Sequence, residues 1–342
     1  MTEQVRRRLR KGPAAFLGLA CLVALVGCRP KEETKGGKSE PTKGTTTRLK
    51  VQLNWVPEPE FGGIYAAREA GAYTKAGLEV DVLSGGPGSP VVQLVAGGQA
   101  DFGVAGADDV VIARARGVDL VAVFGTFQTN PQGVMVHAAR NLGSLADLKS
   151  GTLALEPGLP FAMFIKKKYG FVGATLVPYD GGIAKFLADP NHAQQCYVTS
   201  EPLAVKKKGG ETPKVFLGAD TGFNPYANVI VTRGAMLREK KETVRAFVAA
   251  SAEGWRRYLE DPSAANAVMA KLNTAMDAET FAAAAAAQKP LIETDETKTS
   301  GLGVMTEARW AKLGADLVEL GIVKKAPPPA ECFTTAPSQA TK

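Results

Sequence analysis

Histidine is almost missing from this chain. His137 and His192 are the only two in 342 residues, and they stand far apart. Their separation matches no metal-ligand spacing, so no metal site is expected. There is no Gly-x-Ser-x-Gly turn, which excludes the usual serine-nucleophile elbow. The glycine-rich stretch Gly85-Gly86-Pro87-Gly88-Ser89 lacks the Gly-Lys-Ser/Thr ending of a phosphate-cradling P-loop, so nucleotide hydrolysis is excluded too. It reads as a turn or as an anion nest ahead of a helix. No dense Lys/Arg stripe with interleaved aromatics occurs, which argues against nucleic acid. No period of about 20–50 residues recurs, as a solenoid would require. Carboxylates are plentiful, but none is paired by spacing in a telling way. No catalytic residue and no cofactor are expected.

What is present begins with an address. Arg6, Arg7, Arg8, Arg10 and Lys11 form a basic head, residues 14–26 are an apolar run too short to span a bilayer, and the run ends at Gly27-Cys28. The pattern resembles a bacterial lipoprotein signal: residues 1–27 are removed and Cys28 carries the acyl chains. More than one chain is needed for stable attachment. Residues 28–47 contain no large apolar side chain and read as a flexible tether. Residues 324–342, with Pro327-Pro328-Pro329, read as a flexible tail. Formal net charge is +7, but removing Arg6, Arg7, Arg8, Arg10, Lys11 and Glu3 with the signal leaves +3. Of four cysteines, Cys21 and Cys28 lie in the signal region. Cys196 and Cys332 remain, in an oxidising compartment if the chain is exported; they either pair or stay as two thiols.

The region between tether and tail alternates. Strands are predicted near residues 49–53, 78–83, 101–105 and 120–126, with helices over 62–70, 90–96 and 108–116. A second series begins near Asn141, with strands at 152–155, 175–178, 195–198, 214–217 and 229–232. From Glu239 the pattern is helical, and Val244, Phe247, Val248, Trp255 and Leu259 recur at the spacing of one core-facing stripe. This is an α/β chain with a largely parallel sheet pattern. It suits two lobes of roughly 100–150 residues each.

Asn54-Trp55-Val56-Pro57, then Phe61-Gly62-Gly63-Ile64-Tyr65-Ala66-Ala67, then Gly71-Ala72-Tyr73 through Gly77-Leu78-Glu79-Val80 follow a known pattern. So do Gly98-Gln99-Ala100-Asp101-Phe102-Gly103-Val104, Tyr197-Val198-Thr199-Ser200-Glu201-Pro202 and Gly222-Phe223-Asn224-Pro225-Tyr226. Together they resemble the ABC-importer substrate-binding lipoproteins similar to thiamine-pyrimidine-precursor synthase. The resemblance implies a type II periplasmic-binding-protein fold: two lobes with central mixed sheets, a hinge cleft and a helical C-terminal segment. Lobe 1 is expected at 48–130 and 224–323, lobe 2 at 131–223. It further implies an exported, membrane-anchored monomer that delivers a small heteroaromatic solute to an ABC permease and its ATPase subunit. Riboflavin, a sulfonate or another small solute is the alternative cargo. Synthases of this family look for a His where Phe61 stands, and for a Cys-rich segment; both are missing, which counts against the synthase reaction.

Candidate ligand residues follow. Trp55, just past a strand end, is placed to stack on a flat ring or to cap the lobe core. Asn54 and Tyr65 offer hydrogen bonds, and Phe61 belongs to the same segment. Asp108 is a ligand candidate or a helix N-cap. Gln128 lies near the first crossover. Tyr197, Asn224 and Tyr226 come from the matching motifs. Glu201, at a helix start, is either favoured by the helix dipole or accepts N–H bonds from an aminopyrimidine-like edge.

Overall fold

The protein is described by a computed structural model covering residues 46–335. The leader, Cys28 and most of the tether lie outside the described residues.

Ten strands form two five-stranded sheets. The first contains β1 (Thr47–Gln52), β2 (Leu78–Leu83), β3 (Phe102–Ala105), β4 (Leu120–Phe127) and, from much later in the chain, β10 (Ala227–Arg233), in the order β2-β1-β3-β10-β4. The second contains β5 (Gln132–Val136), β6 (Thr152–Leu155), β7 (Thr175–Pro178), β8 (His192–Tyr197) and β9 (Lys214–Leu217), in the order β7-β6-β8-β5-β9. β1 runs parallel to β2 and β3, and β6 runs parallel to β7 and β8. The late strand β10 is antiparallel to β3 and β4, and β5 is antiparallel to β8 and β9. Each sheet is therefore mixed, because each takes in the strand that follows a crossover. The chain passes between the sheets at 128–131 and again at 218–226. This is the two-lobe α/β architecture of periplasmic binding proteins.

The interior strand β5 precedes Asn141, where the residue pattern placed the start of the second series. Its four residues from Gly133 to Val136 are all buried, so it shows no alternation to read.

The first lobe is cemented by two helices at very short range. Gly62–Glu69 packs against Lys241–Glu260, with the five-residue stripe expected in the latter buried. A β-carbon added at Gly254 would lie 2.1 Å from the Gly63 carbonyl oxygen, and one at Gly63 would lie 2.2 Å from the Trp255 ring. Only glycine permits that approach. Beneath it, Phe102 stacks on Phe247 at 3.9 Å, and the Tyr73 hydroxyl pairs with Ser251 at 2.9 Å.

Strand β4 is an edge strand, yet every residue in it is buried. The reason lies at the far end of the chain. Gly303 bridges to Gly125, Phe333 bridges to Ala122, and the Thr334 N–H donates to the Ala122 carbonyl at 2.9 Å. Phe333 also stacks on Trp310 at 5.5 Å. The expectation of a flexible tail from residue 324 is thereby corrected as far as Thr335. An exposed apolar edge is an aggregation hazard, and the tail covers it.

The Cys196–Cys332 bridge is also corrected. Both are free buried thiols. Cys196 packs with Met135, Phe186 and Val205 in the second lobe, whereas Cys332 belongs to the cluster under β4 with Trp310 and Leu313. Burial raises both thiols, Cys332 to about 11. No described helix is long and apolar enough to cross a membrane.

Candidate functional site

The loop after β1 carries Trp55, and its posture is fixed from two sides. Gln52 Nε2 donates to the carbonyls of Leu53 at 2.9 Å and Ser84 at 3.1 Å, tying this loop to the one after β2. The Gly85 N–H donates to the Trp55 carbonyl at 2.9 Å. A β-carbon at Gly85 would collide with the Leu53 carbonyl at 2.3 Å. The glycine-rich stretch thus opens with a close approach that supports Trp55. The indole itself is 39% exposed, an unusual state for tryptophan in a packed lobe.

Just beyond it, Pro57 and Pro59 stiffen a segment anchored from the C-terminal helices. Asn273 Nδ2 donates to the Pro57 carbonyl at 3.2 Å, and Gln288 Nε2 donates to the Pro59 carbonyl at 2.8 Å. Glu58 and Glu60 flank Pro59 on this clamped segment. At the start of the helix Ala107–Ala115, Asp108 and Asp109 stand side by side. In the second lobe, Glu201 opens the helix Glu201–Gly209; it accepts the Tyr179 hydroxyl and the Tyr197 N–H, each at 2.8 Å.

These groups feel each other across the two lobes. Burial first, then the charge of Glu201, pushes the Glu58 carboxyl up to about 7, against opposing contacts from Trp55 and Asn273. Burial, then Glu58 and Glu201, pushes Glu60 up to about 8. Burial and its neighbour Asp109 raise Asp108 to about 7. The Tyr197 hydroxyl is raised by burial and by Glu60, Asp108, Glu201 and Asp109. Among the described residues, the ion pairs include none of these five carboxylates. Like charges crowded in a low dielectric hold protons near neutrality. The lobes also touch nearby: Lys207 of the second lobe pairs with Asp277 and, at 3.2 Å, with Glu279 of the first.

The residues expected at the site divide accordingly. Asp108 and Glu201 both act on the Tyr197 hydroxyl, and Trp55 contacts Glu58. Asn54 neighbours Trp55, and its side-chain oxygen is buried without a partner. Tyr65 is fully buried with its ring under Arg68 at 4.9 Å, its hydroxyl lacking a hydrogen bond. Phe61 is fully buried in the first-lobe core, so its assignment as a ligand contact is corrected. Tyr226 is buried in the cluster with Trp310, and Asn224 is half-buried. Tyr226 lies under Arg309 at 3.8 Å and receives the Thr306 N–H at 2.9 Å. Asn224 Oδ1 accepts from the Asn130 N–H at 2.8 Å and from Arg309 at 3.0 Å, stitching the two crossovers together. Gln128 serves the same region, donating to the Gly125 and Val304 carbonyls. Asp108 is not the N-cap: Gly106 is, and Asp109 accepts its N–H at 3.0 Å.

Glu58, Glu60, Asp109, Tyr179 and Asn228 were not singled out from the residue pattern. The signal available was Pro57-Glu58-Pro59-Glu60, two carboxylates in a stiff loop without a nearby Lys or Arg.

The sequence profile described as NMT1/THI5 like matches residues 58–265. A formylaminopyrimidine-binding protein of Halalkalibacterium halodurans is 26% identical over 226 residues, covering 64% of this chain and 68% of that protein. The riboflavin-binding protein RibY of Chloroflexus aurantiacus is 24% identical over 270 residues, covering 73% and 75%. Among solved structures, a sulfonate-binding protein SsuA of Methylobacillus flagellatus superposes with a TM-score of 0.64 at 14% identity, over 87% of this chain and 94% of that one. At that identity the superposition speaks for the fold alone. With most of both lobes matched by the profile, this chain belongs to the NMT1/THI5-like family.

Proposed function

We propose that this chain is the solute-binding component of an ABC importer, closing its two lobes on a small flat nitrogen heterocycle and presenting it to a permease whose ATPase subunit drives uptake. One observation carries the reading: an accessible indole stands beside Glu58, and Glu58 and Glu60 feel the charge of Glu201 from the other lobe. Ligand sites of this kind pair an apolar aromatic wall with a few placed polar groups. Trp55 supplies the wall for a ring face. Glu58, Glu60 and Glu201 supply acceptors for ring-edge N–H groups, which charge strengthens. The crossovers at 128–131 and 218–226 are the hinges, as in other hinge-closing binding proteins. The two relatives named for a pyrimidine and a flavin support a heterocyclic cargo. We place the chain outside the cytoplasm as a monomer, held at Cys28 by lipid, and assign it no reaction of its own.

The test is binding by Trp55→Ala. Formylaminopyrimidine and riboflavin serve as probes in titration calorimetry and intrinsic fluorescence. Trp55→Ala is expected to lose at least about tenfold in affinity for whichever probe binds, the energy of one stacked aromatic pair, with an unchanged melting profile. Equal affinity in variant and wild type would remove Trp55 from the site.

A further inference from the structure

Resting on the solute-binding reading above, we propose that the solute carries a positive charge. The gap between the lobes is built for a protonated or quaternary nitrogen heterocycle with a hydrogen-bond acceptor next to its cationic edge.

The groups facing the gap come from four places. The clamped segment contributes Glu58 and Glu60, and the helix start contributes Asp108 and Asp109. The end of β8 and the helix start after it contribute Tyr197 and Glu201, and the chain after β7 contributes Tyr179. Five of these seven are carboxyl groups, and their described hydrogen bonds and ion pairs bring no Lys, Arg or His to them. An anionic solute would meet no Lys, Arg or His among these described partners. A neutral one would leave the crowding unrelieved.

A second observation concerns a buried amide beside the carboxyl groups. Asn228, on β10, is 3% exposed, and its side-chain nitrogen has no hydrogen-bond partner. The side chain lies against Glu60 without completing a bond to it. A buried donor left unpaired is costly and calls for an acceptor. Glu60 calls for a donor or a cation. Side by side they describe the edge of the solute: a cationic N–H or ring nitrogen meeting Glu60, and an adjacent acceptor atom meeting Asn228.

The protonation of the cluster adds a consequence. Near neutral pH several of these carboxyl groups hold protons, so an arriving cation displaces them. Binding then releases protons and strengthens as pH rises towards 8, by about tenfold per pH unit for each proton displaced.

The test uses the mature chain and two probes of closely matched size, 4-amino-1-methylpyridinium (cationic) and 4-methylaniline (neutral). Calorimetry in buffers of different ionisation enthalpy reports affinity and proton release together. The expected result is preference for the cation by about tenfold or more, proton release near pH 7, and tighter cation binding at pH 8 than at pH 6. Glu60→Gln and Glu201→Gln should each weaken the cation by a larger factor than the neutral probe. Glu58→Gln provides a third variant if either fails to fold, and melting curves check each. Equal or tighter binding of the neutral probe overturns the charge assignment, as does affinity independent of pH or the absence of any response to the cation. If the neutral probe binds and loses affinity in Trp55→Ala, the solute-binding reading survives while the charge assignment fails. If neither probe nor the two heterocycles above bind, both fall.

Discussion

Glu60→Gln is the most informative single substitution, because the half-buried carboxyl ties stability to pH in a direction opposite to most surface acids. Glu60 titrates near 4.5 when unfolded and is pushed to about 8 in the folded chain. Between those values the unfolded state has released a proton that the native state retains. The native state therefore binds more protons, and unfolding free energy falls as pH rises through this window. Below the unfolded value the contribution is fully present; above about 8 it is lost. Acting alone, the displacement corresponds to on the order of 5 kcal/mol. Partial access to water and sharing of protons with Glu58 reduce the effect of one residue to on the order of 2–3 kcal/mol. Glutamine keeps the shape and cannot ionise. Urea unfolding followed by fluorescence of the buried Trp255 and Trp310 should show the wild type losing stability from pH 5 to 8.5. Glu60→Gln should match it near pH 5 and exceed it at pH 8.5 by that amount. A residual slope from Glu58 and Asp108 will remain in the variant. His192, lowered by burial, acts in the opposite sense below its ordinary value and cancels in the comparison. A wild-type profile flat or rising over this range, or a variant running parallel to it, would refute the reasoning.

Other substitutions probe separate parts of the structure. Gly254→Ala drives a methyl into the Gly63 carbonyl and should cost about 1–3 kcal/mol or more, read as a lower urea midpoint. Lys207→Ala removes an exposed contact between the lobes; the melting temperature should hardly move, while small-angle scattering of the unliganded chain should show a more open average form. Cys196 and Cys332 should resist a maleimide in the native chain and react on unfolding, and the intact mass should show no disulfide between them.

Local pattern carried much of the architecture. The core stripe of Lys241–Glu260 was legible because a helix buries one face at a fixed period. Strand β5 was not, since a short strand buried along nearly its whole length lacks alternation. The tail misled for a related reason: its proline run and charges look unstructured, and only the exposed edge of β4 makes docking Phe333 favourable. Within the proposed site, Trp55 and Glu201 were singled out for their positions after strand ends. Phe61 and Tyr226 came from the same motifs yet serve packing, because a motif marks a segment and not the direction its side chains take.

By itself the sequence determined the alternating α/β order, the family and the indole at position 55. Those follow from residue periodicity and from short contiguous motifs. Which carboxyl groups meet was decided by the tertiary structure alone. Glu58 and Glu60 lie some 140 residues before Glu201 in the chain, and only the two crossovers bring them within reach. Burial and mutual charge, which set the protons they hold, exist only once the lobes stand face to face.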